Sequence, residues 1–365
     1  MLKFNNLLGE NETDDNIDVK LTRDNLKQKI PWVDKYRPKK LDDIVQQDEV
    51  IKVLKDTLKT GNLPHLLFYG PPGTGKTSSV LAIAMELFGP VKFHERVIEL
   101  NASDERGINV VRHKIITFAK SAIGNSDPNY PCPPYKIVIL DEADAMTTEA
   151  QSALRKVMEN LSKITRFCFI CNYINQIIDP ISSRCMKFRF KSIESSVMNN
   201  KLNFIANKEN LMVGNDIINA ISVVSKGDVR KAIMTLQNLK YKLKLKTTLV
   251  ENDVYEITNM LPSDKADDIW NKCIFGDDKI ENIIEATNKL KQFGYPINSI
   301  LEQFKNKIVA SDIPDDKKGL ISIQIAITER RLIEGADEHI QLLNVICYIK
   351  GVICDIIQYY PSSIC

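Results

Sequence analysis

The apolar positions of this chain fall into two regimes. Up to about residue 192, apolar runs of strand length recur at Leu66–Tyr69, Val97–Leu100, Ile137–Leu140, Phe167–Ile170 and Phe188–Phe190. Helix-length stretches lie between them, including Thr77–Phe88, closed by Gly89-Pro90, and Glu149–Leu161. Strands alternating with helices predict a parallel sheet covered by helices, an α/β domain. Beyond residue 192 the helical period takes over. In Gly227–Leu239 the residues Val229, Ala232, Ile233 and Leu236 follow the i, i+3, i+4, i+7 spacing of one helix face. From residue 245 onward the pattern predicts further helices over Ile280–Phe293, Ile297–Val309, Leu320–Glu334 and His339–Tyr360. The last is apolar on more than one stripe, as a helix buried against neighbours would be. Residues 1–30 are rich in Asn, Asp, Lys and Glu without a period, so they read as a mobile tail. Order is expected from Pro31-Trp32, and Gly124–Pro134, dense in turn formers, is expected to be a surface loop.

Charge narrows the picture little. Lys and Arg number 49 against 47 Asp and Glu, a net charge of +2, so any contact with nucleic acid must come from a local cluster of cations. No apolar run reaches the ~18–20 residues that span a bilayer, and the N-terminus lacks the pattern of a secretory signal. The eight cysteines are scattered. The one CxxC, Cys168–Cys171, sits inside the apolar run Phe167–Cys171, where buried strand thiols are the expectation rather than a zinc or redox site. Reduced thiols suit a cytosolic or nuclear compartment.

Chemistry enters with Gly70-Pro71-Pro72-Gly73-Thr74-Gly75-Lys76-Thr77, a complete GxxxxGK[ST] between an apolar strand and a helix. Glycines there let backbone N–H groups turn toward phosphate oxygens, and the following helix start favours negative charge. Lys76 places a cation on the β/γ-phosphates of ATP, and the Thr77 hydroxyl is a Mg²⁺ ligand. A second motif, Ile137-Val138-Ile139-Leu140-Asp141-Glu142-Ala143-Asp144, ends a buried strand in acids at the carboxyl edge of the sheet. Asp141 is the second candidate Mg²⁺ ligand, and Glu142 is placed to orient and deprotonate an attacking water. The letters Asp-Glu-Ala-Asp also occur in helicases, but this chain is short for two recombination-type lobes.

Three further polar residues admit two readings each. Asn172, closing the strand Thr165–Cys171, is either a turn residue or a group that bonds the γ-phosphate or attacking water. Arg184, in Ser183-Arg184-Cys185, is either a surface arginine or a finger offered to a neighbouring subunit's nucleotide. No acidic residue follows it within four positions, so no local ion pair is evident. Arg230, in Gly227-Asp228-Val229-Arg230, is either solvated or reaches back to nucleotide.

Taken in order, these motifs resemble those of replication factor C small subunits, AAA+ clamp-loader proteins of eukaryotic type. The resemblance is carried by Pro31-Trp32-Val33-Asp34-Lys35-Tyr36-Arg37-Pro38, Leu41-Asp42-Asp43-Ile44-Val45, Leu100-Asn101-Ala102-Ser103-Asp104-Glu105-Arg106-Gly107-Ile108, Asp141–Met146, Ala153-Leu154-Arg155-Lys156-Val157-Met158-Glu159 and Ser183-Arg184-Cys185. It is dense over residues 31–240 and weak in the helical remainder. It implies an AAA+ P-loop domain over 31–192, a small helical lid over 193–244 and an all-α collar for oligomerisation over 245–365. It implies an adenine pocket lined by Val33, Tyr36, Arg37, Ile44 and Val45, with Asn172 as sensor 1, Arg230 as sensor 2 and Arg184 as the finger acting in trans. It also implies DNA-phosphate contacts from Arg106, Arg112 and Lys114, for which a solvated basic face is the alternative. Two departures stand out. Gln46 occupies the place where the family usually has Gly, and Lys156 replaces the second arginine of an Ala-Leu-Arg-Arg pattern.

The activity so implied is ATP hydrolysis within a heteropentamer that opens a PCNA-like sliding clamp and loads it on primer–template DNA. The implied location is the nucleus or, given the abundance of Asn, Ile and Lys, the replication compartment of a large DNA virus. Two rivals remain at this point: a non-catalytic nucleotide-binding subunit of the same assembly, and an AAA+ replication initiator or helicase loader. An intact Glu142 and Arg184 weigh against the first. Plain helices after residue 245, where a winged helix would be expected, weigh against the second.

Overall fold

The computed structural model describes residues 30–102, 108–122, 127–243, 248–271 and 280–357. The predicted tail over 1–30 therefore lies almost wholly outside the described residues, as does Arg106. The chain divides into two compact units. One comprises residues 1–212 with 225–237, the other residues 213–224 with 238–365. The division falls within the segment expected to form a lid.

Five strands build the first unit: β1 (His65–Tyr69), β2 (Val97–Asn101), β3 (Lys136–Asp141), β4 (Thr165–Cys171) and β5 (Cys185–Arg189). They pair in the order β2-β3-β4-β1-β5, and every pairing is parallel. Because side chains alternate across a strand, each apolar run feeds two cores. Leu66, Phe68, Ile137, Ile139, Cys168 and Ile170 join one cluster with Val80, Ile83, Leu87 and Phe88 of the helix Lys76–Arg96. Leu67, Val138, Leu140, Phe167, Phe169 and Cys171 join the other with Ile115 and with Leu154, Val157 and Met158 of the helix Thr148–Leu161. Cys168 and Cys171 thus serve opposite cores, and burial pushes both thiols well up from their ordinary range.

Two helix expectations need correction. The helix after the P-loop does not stop at Gly89-Pro90 but breaks there and resumes to Arg96. Gly89 adopts φ 67°, and a Cβ on it would lie 2.4 Å from the Tyr130 ring packed over the break. Pro90 then restarts the helix, a role its fixed φ suits. In the second unit the last helix is Glu338–Ile353 and does not run to residue 360. Asp355 takes φ 60°, and the N–H groups of Ile356 and Ile357 both donate to Gly351 O, which turns the chain back. The predicted strand Phe188–Phe190 lies within a pairing shifted toward Cys185, although Phe190 N still donates to Tyr69 O at 2.8 Å.

Every regular element described beyond β5 is a helix. The second unit has its own core, in which Phe304, Ile321, Val345, Ile346 and Ile349 are buried. No helix among the described residues is long and apolar enough to cross a membrane.

Candidate nucleotide site

The strand order explains where the site forms. β4 lies between β3 and β1, so the chain leaving β1 (the P-loop), the acids ending β3 and Asn172 ending β4 emerge side by side at one edge of the sheet. Ligands bind α/β folds at such carboxyl edges.

Gly73 shows why the P-loop needs its glycines. It adopts φ 67°, and a Cβ built on it would meet Asp228 Oδ1 at 1.7 Å. Its carbonyl also accepts from Val229 N at 3.2 Å, so the loop touches the start of the helix Val229–Leu243. Lys76 is buried, and its Nζ donates to Gly70 O at 2.7 Å, Pro71 O at 2.8 Å and Asn172 Oδ1 at 2.9 Å. Burial lowers its pKa, and Asp141 opposes that shift. Thr77 Oγ1 donates to Asp141 Oδ2 at 2.8 Å. A hydroxyl and a carboxylate at that separation are hard oxygen donors of the kind Mg²⁺ takes. Glu142 is exposed and sits at φ 53°, a left-handed conformation uncommon for a residue with a side chain and frequent at functional sites.

One cavity, about 320 Å³, brings these groups together. Val33, Tyr36, Arg37, Ile44, Val45, Pro72, Gly73, Thr74, Gly75, Lys76, Thr77, Asp141, Glu142, Asn172 and Arg230 all line it. Gly70 and Pro71 do not; they face Lys76 through their carbonyls instead. The phenol of Tyr36 is turned to Glu209, to which it donates at 2.7 Å.

Arg184 is not among the lining residues. The absence of a local acid proves misleading, because Arg184 Nη2 pairs with Glu159 at 2.9 Å across the fold and its Nη1 donates to Pro180 O at 2.6 Å. Glu159 also accepts from Arg155 Nε at 3.1 Å, so two arginines share one exposed carboxylate. Arg112 and Lys114 are exposed on the helix Ile108–Lys120. Two positions on a helix point roughly 200° apart, so these two do not form one strip.

Sequence reasoning missed two supports of the site. Asp144 Oδ2 accepts from Asn172 N at 2.9 Å and Tyr173 N at 3.2 Å, tying the ends of β3 and β4 together. Buried Gln151 donates to Met146 O at 3.2 Å and Gln176 O at 2.9 Å, and accepts from Ile178 N at 2.9 Å. A glutamine on the inner face of an amphipathic helix was the available signal. Lys201, Ile193 and Ile233 also line the cavity, and none of them was singled out as a site residue from the sequence.

A parallel sheet with a P-loop, acids at the end of the next strand but one and an arginine from the following helical segment defines an AAA+ ATPase. Comparison with known proteins agrees. Residues 66–193 match the ATPase family associated with various cellular activities, 200–240 the RCF1/5-like AAA+ ATPase lid domain, and 261–348 the replication factor C C-terminal domain. Replication factor C subunit 2 of Oryza sativa is 47% identical over 317 residues, covering 86% of this chain and 92% of that protein. Replication factor C subunit 4 of Homo sapiens is 46% identical, covering 87% and 86%. A replication factor C small-subunit homologue of Acanthamoeba polyphaga mimivirus is 43% identical, covering 89% and 98%. The chain belongs to the replication factor C small-subunit family. Among solved structures, the Thermotoga maritima RuvB Holliday junction branch migration motor superposes with a TM-score of 0.50 at 17% identity, covering 70% of this chain and 85% of that one, a likeness of fold alone.

Proposed function

We propose that this chain is a catalytic subunit of a clamp loader, hydrolysing ATP to open a PCNA-like ring clamp and set it on primer–template DNA. The observation that carries the reading is the separation of Arg184 from the cavity that gathers Lys76, Thr77, Asp141, Glu142, Asn172 and Arg230. A site complete except for its finger, with a finger facing elsewhere, suits a ring or spiral in which each subunit completes its neighbour.

In this reading the residues divide the work. The P-loop and Lys76 bind the β/γ-phosphates, Arg230 engages them from the helical segment, and Val33, Ile44 and Val45 bound the adenine. Thr77 and Asp141 would hold Mg²⁺, which when bound neutralises charge on the phosphates. Glu142 orients the attacking water and accepts its proton, and Asn172 positions that water or the γ-phosphate. The segment 193–244 acts as the lid and 245–365 as the collar of a heteropentamer. Arg112 and Lys114, with Arg106, contact DNA phosphates. The chain works in a nucleus or in a viral replication compartment.

The test is reconstitution with the other small and large subunits of the same source. ATP turnover should rise when clamp and primer–template DNA are both added, and fluorescent clamp should transfer to DNA only with ATP. A complex that loads the clamp at full rate with Glu142→Gln in this subunit would leave it the non-catalytic member.

A further inference from the structure

Two neighbouring amides bind one backbone segment. Gln47 is buried, and its side chain brackets Lys191, with Nε2 donating to Lys191 O at 2.9 Å and Oε1 accepting from Lys191 N at 3.3 Å. Gln46 reaches three residues further, where its Oε1 accepts from Glu194 N at 2.5 Å. Gln46 does so from φ 59°, a left-handed conformation that glycine adopts without penalty and glutamine does not. The unfavourable backbone and the long contact occur together at one residue, so the side chain supplies what a glycine at this turn could not.

The place of that contact matters. Ile44 and Val45, just before Gln46, line the nucleotide cavity. Ile193, just before Glu194, lines it too, and Glu194 opens the helix Ser195–Lys208, which carries the lining residue Lys201. Both partners of the bond therefore stand one or two residues from a wall of the cavity. The charge of Asp43 lies near Lys201.

We propose that Gln46 is a positioning residue for nucleotide. Its hold on the Glu194 N–H keeps the start of the helix Ser195–Lys208 against the Ile44–Val45 wall and so slows release of bound nucleotide. The proposal rests on the reading of the cavity as an ATP site. It differs from a plain structural role, in which Gln46 would affect stability and leave nucleotide kinetics alone.

The test uses the full chain, a fluorescent ATP analogue chased from it in stopped flow, and amide hydrogen exchange at Glu194. Gln46→Gly relieves the backbone and removes the acceptor. It should release the analogue roughly three- to ten-fold faster, the range expected for one lost hydrogen bond. It should also lose protection at Glu194 with no fall in melting temperature. Gln46→Glu keeps an acceptor oxygen at the same reach and should restore slow release and protection. Release from Gln46→Gly at the wild-type rate, or equal acceleration in both variants, overturns the proposal. Lys76→Ala separates the two readings: if the wild-type chain binds the analogue no better than Lys76→Ala while Glu194 stays protected, the ATP-site reading fails and takes this inference with it.

Discussion

Lys76 Nζ stands 2.9 Å from Asn172 Oδ1, which joins the P-loop to the tip of β4. With Gly70 O and Pro71 O it completes three acceptors for three ammonium protons. In the proposed ATP site, phosphate oxygens would displace part of this set, and Asn172 would be the partner released toward the γ-phosphate. Lys76→Ala should therefore weaken ATP binding itself by tenfold or more. Glu142→Gln should bind ATP within about twofold of wild type and lose turnover by about 10²-fold or more, the usual scale of a general base. Equilibrium binding and single-turnover hydrolysis, measured in the same complex, check the division; equal loss of affinity in both variants contradicts it.

Arg184 is held by Glu159 and Pro180 in the isolated chain. Exposed pairs of this kind contribute little to stability, so Arg184→Ala should leave melting and this chain's own ATP binding nearly unchanged. Turnover at the neighbouring site should fall, by less than the ~10³–10⁵ known for arginine fingers in GTPases because several sites share the work. A complex in which only that neighbour retains its catalytic glutamate isolates the effect. Unchanged turnover there would make Arg184 a local structural residue.

From a buried position Gln151 donates two hydrogen bonds, to Met146 O and Gln176 O, and accepts a third from Ile178 N. Gln151→Leu keeps the volume and leaves those groups unpaired, at a cost of about 2–4 kcal/mol. Denaturant unfolding should show the loss. Isosteric Gln151→Glu tests the donor bonds separately, because it keeps the acceptor for Ile178 N and loses both donated bonds.

His65 provides a pH dependence. Burial, with Arg166 nearby, holds its pKa down to about 4, and its Nδ1 accepts from Phe167 N at 3.0 Å. The ring is neutral in the folded chain, whereas an unfolded histidine protonates near 6.5. Its contribution is full above pH 6.5 and is lost as the pH falls toward 4, on the order of 2 kcal/mol after allowing for partial solvent access. His65→Asn keeps an acceptor near Nδ1 but does not titrate, so unfolding measured from pH 7 to 4.5 should have a shallower slope in the variant.

Arg112 and Lys114, if they neutralise phosphates, each lower the log–log salt slope of duplex binding by roughly 0.9 when changed to Ala. Affinity should drop alike for all sequences. Because their helical positions diverge, a loss from only one of the two is the more informative outcome and identifies which strip of the helix faces DNA.

Much of the site was legible as residues. Gly70–Thr77 and Ile137–Asp144 declare phosphate and metal chemistry by type and spacing, because few other arrangements need three glycines before a lysine or two acids after an apolar strand. The parallel α/β core was legible for a similar reason: apolar runs without alternation require cover on both faces, and Leu66 and Leu67 do pack into opposite clusters. What each motif touches was not legible. Asn172 meets Lys76 because β4 lies between β1 and β3, an order no local pattern encodes. Glu159 meets Arg184, and Gln46 meets Glu194, across separations of 25 and 148 residues. Such pairs depend on where whole strands and helices pack, and the energy that places them is spread through the core. The sequence by itself determined the chemistry available and the class of fold that carries it. Only the tertiary structure decided which strand edge gathers the groups, where the helix at Gly89 bends, and which arginine stands apart from the cavity, since each depends on contacts between segments far apart in the chain.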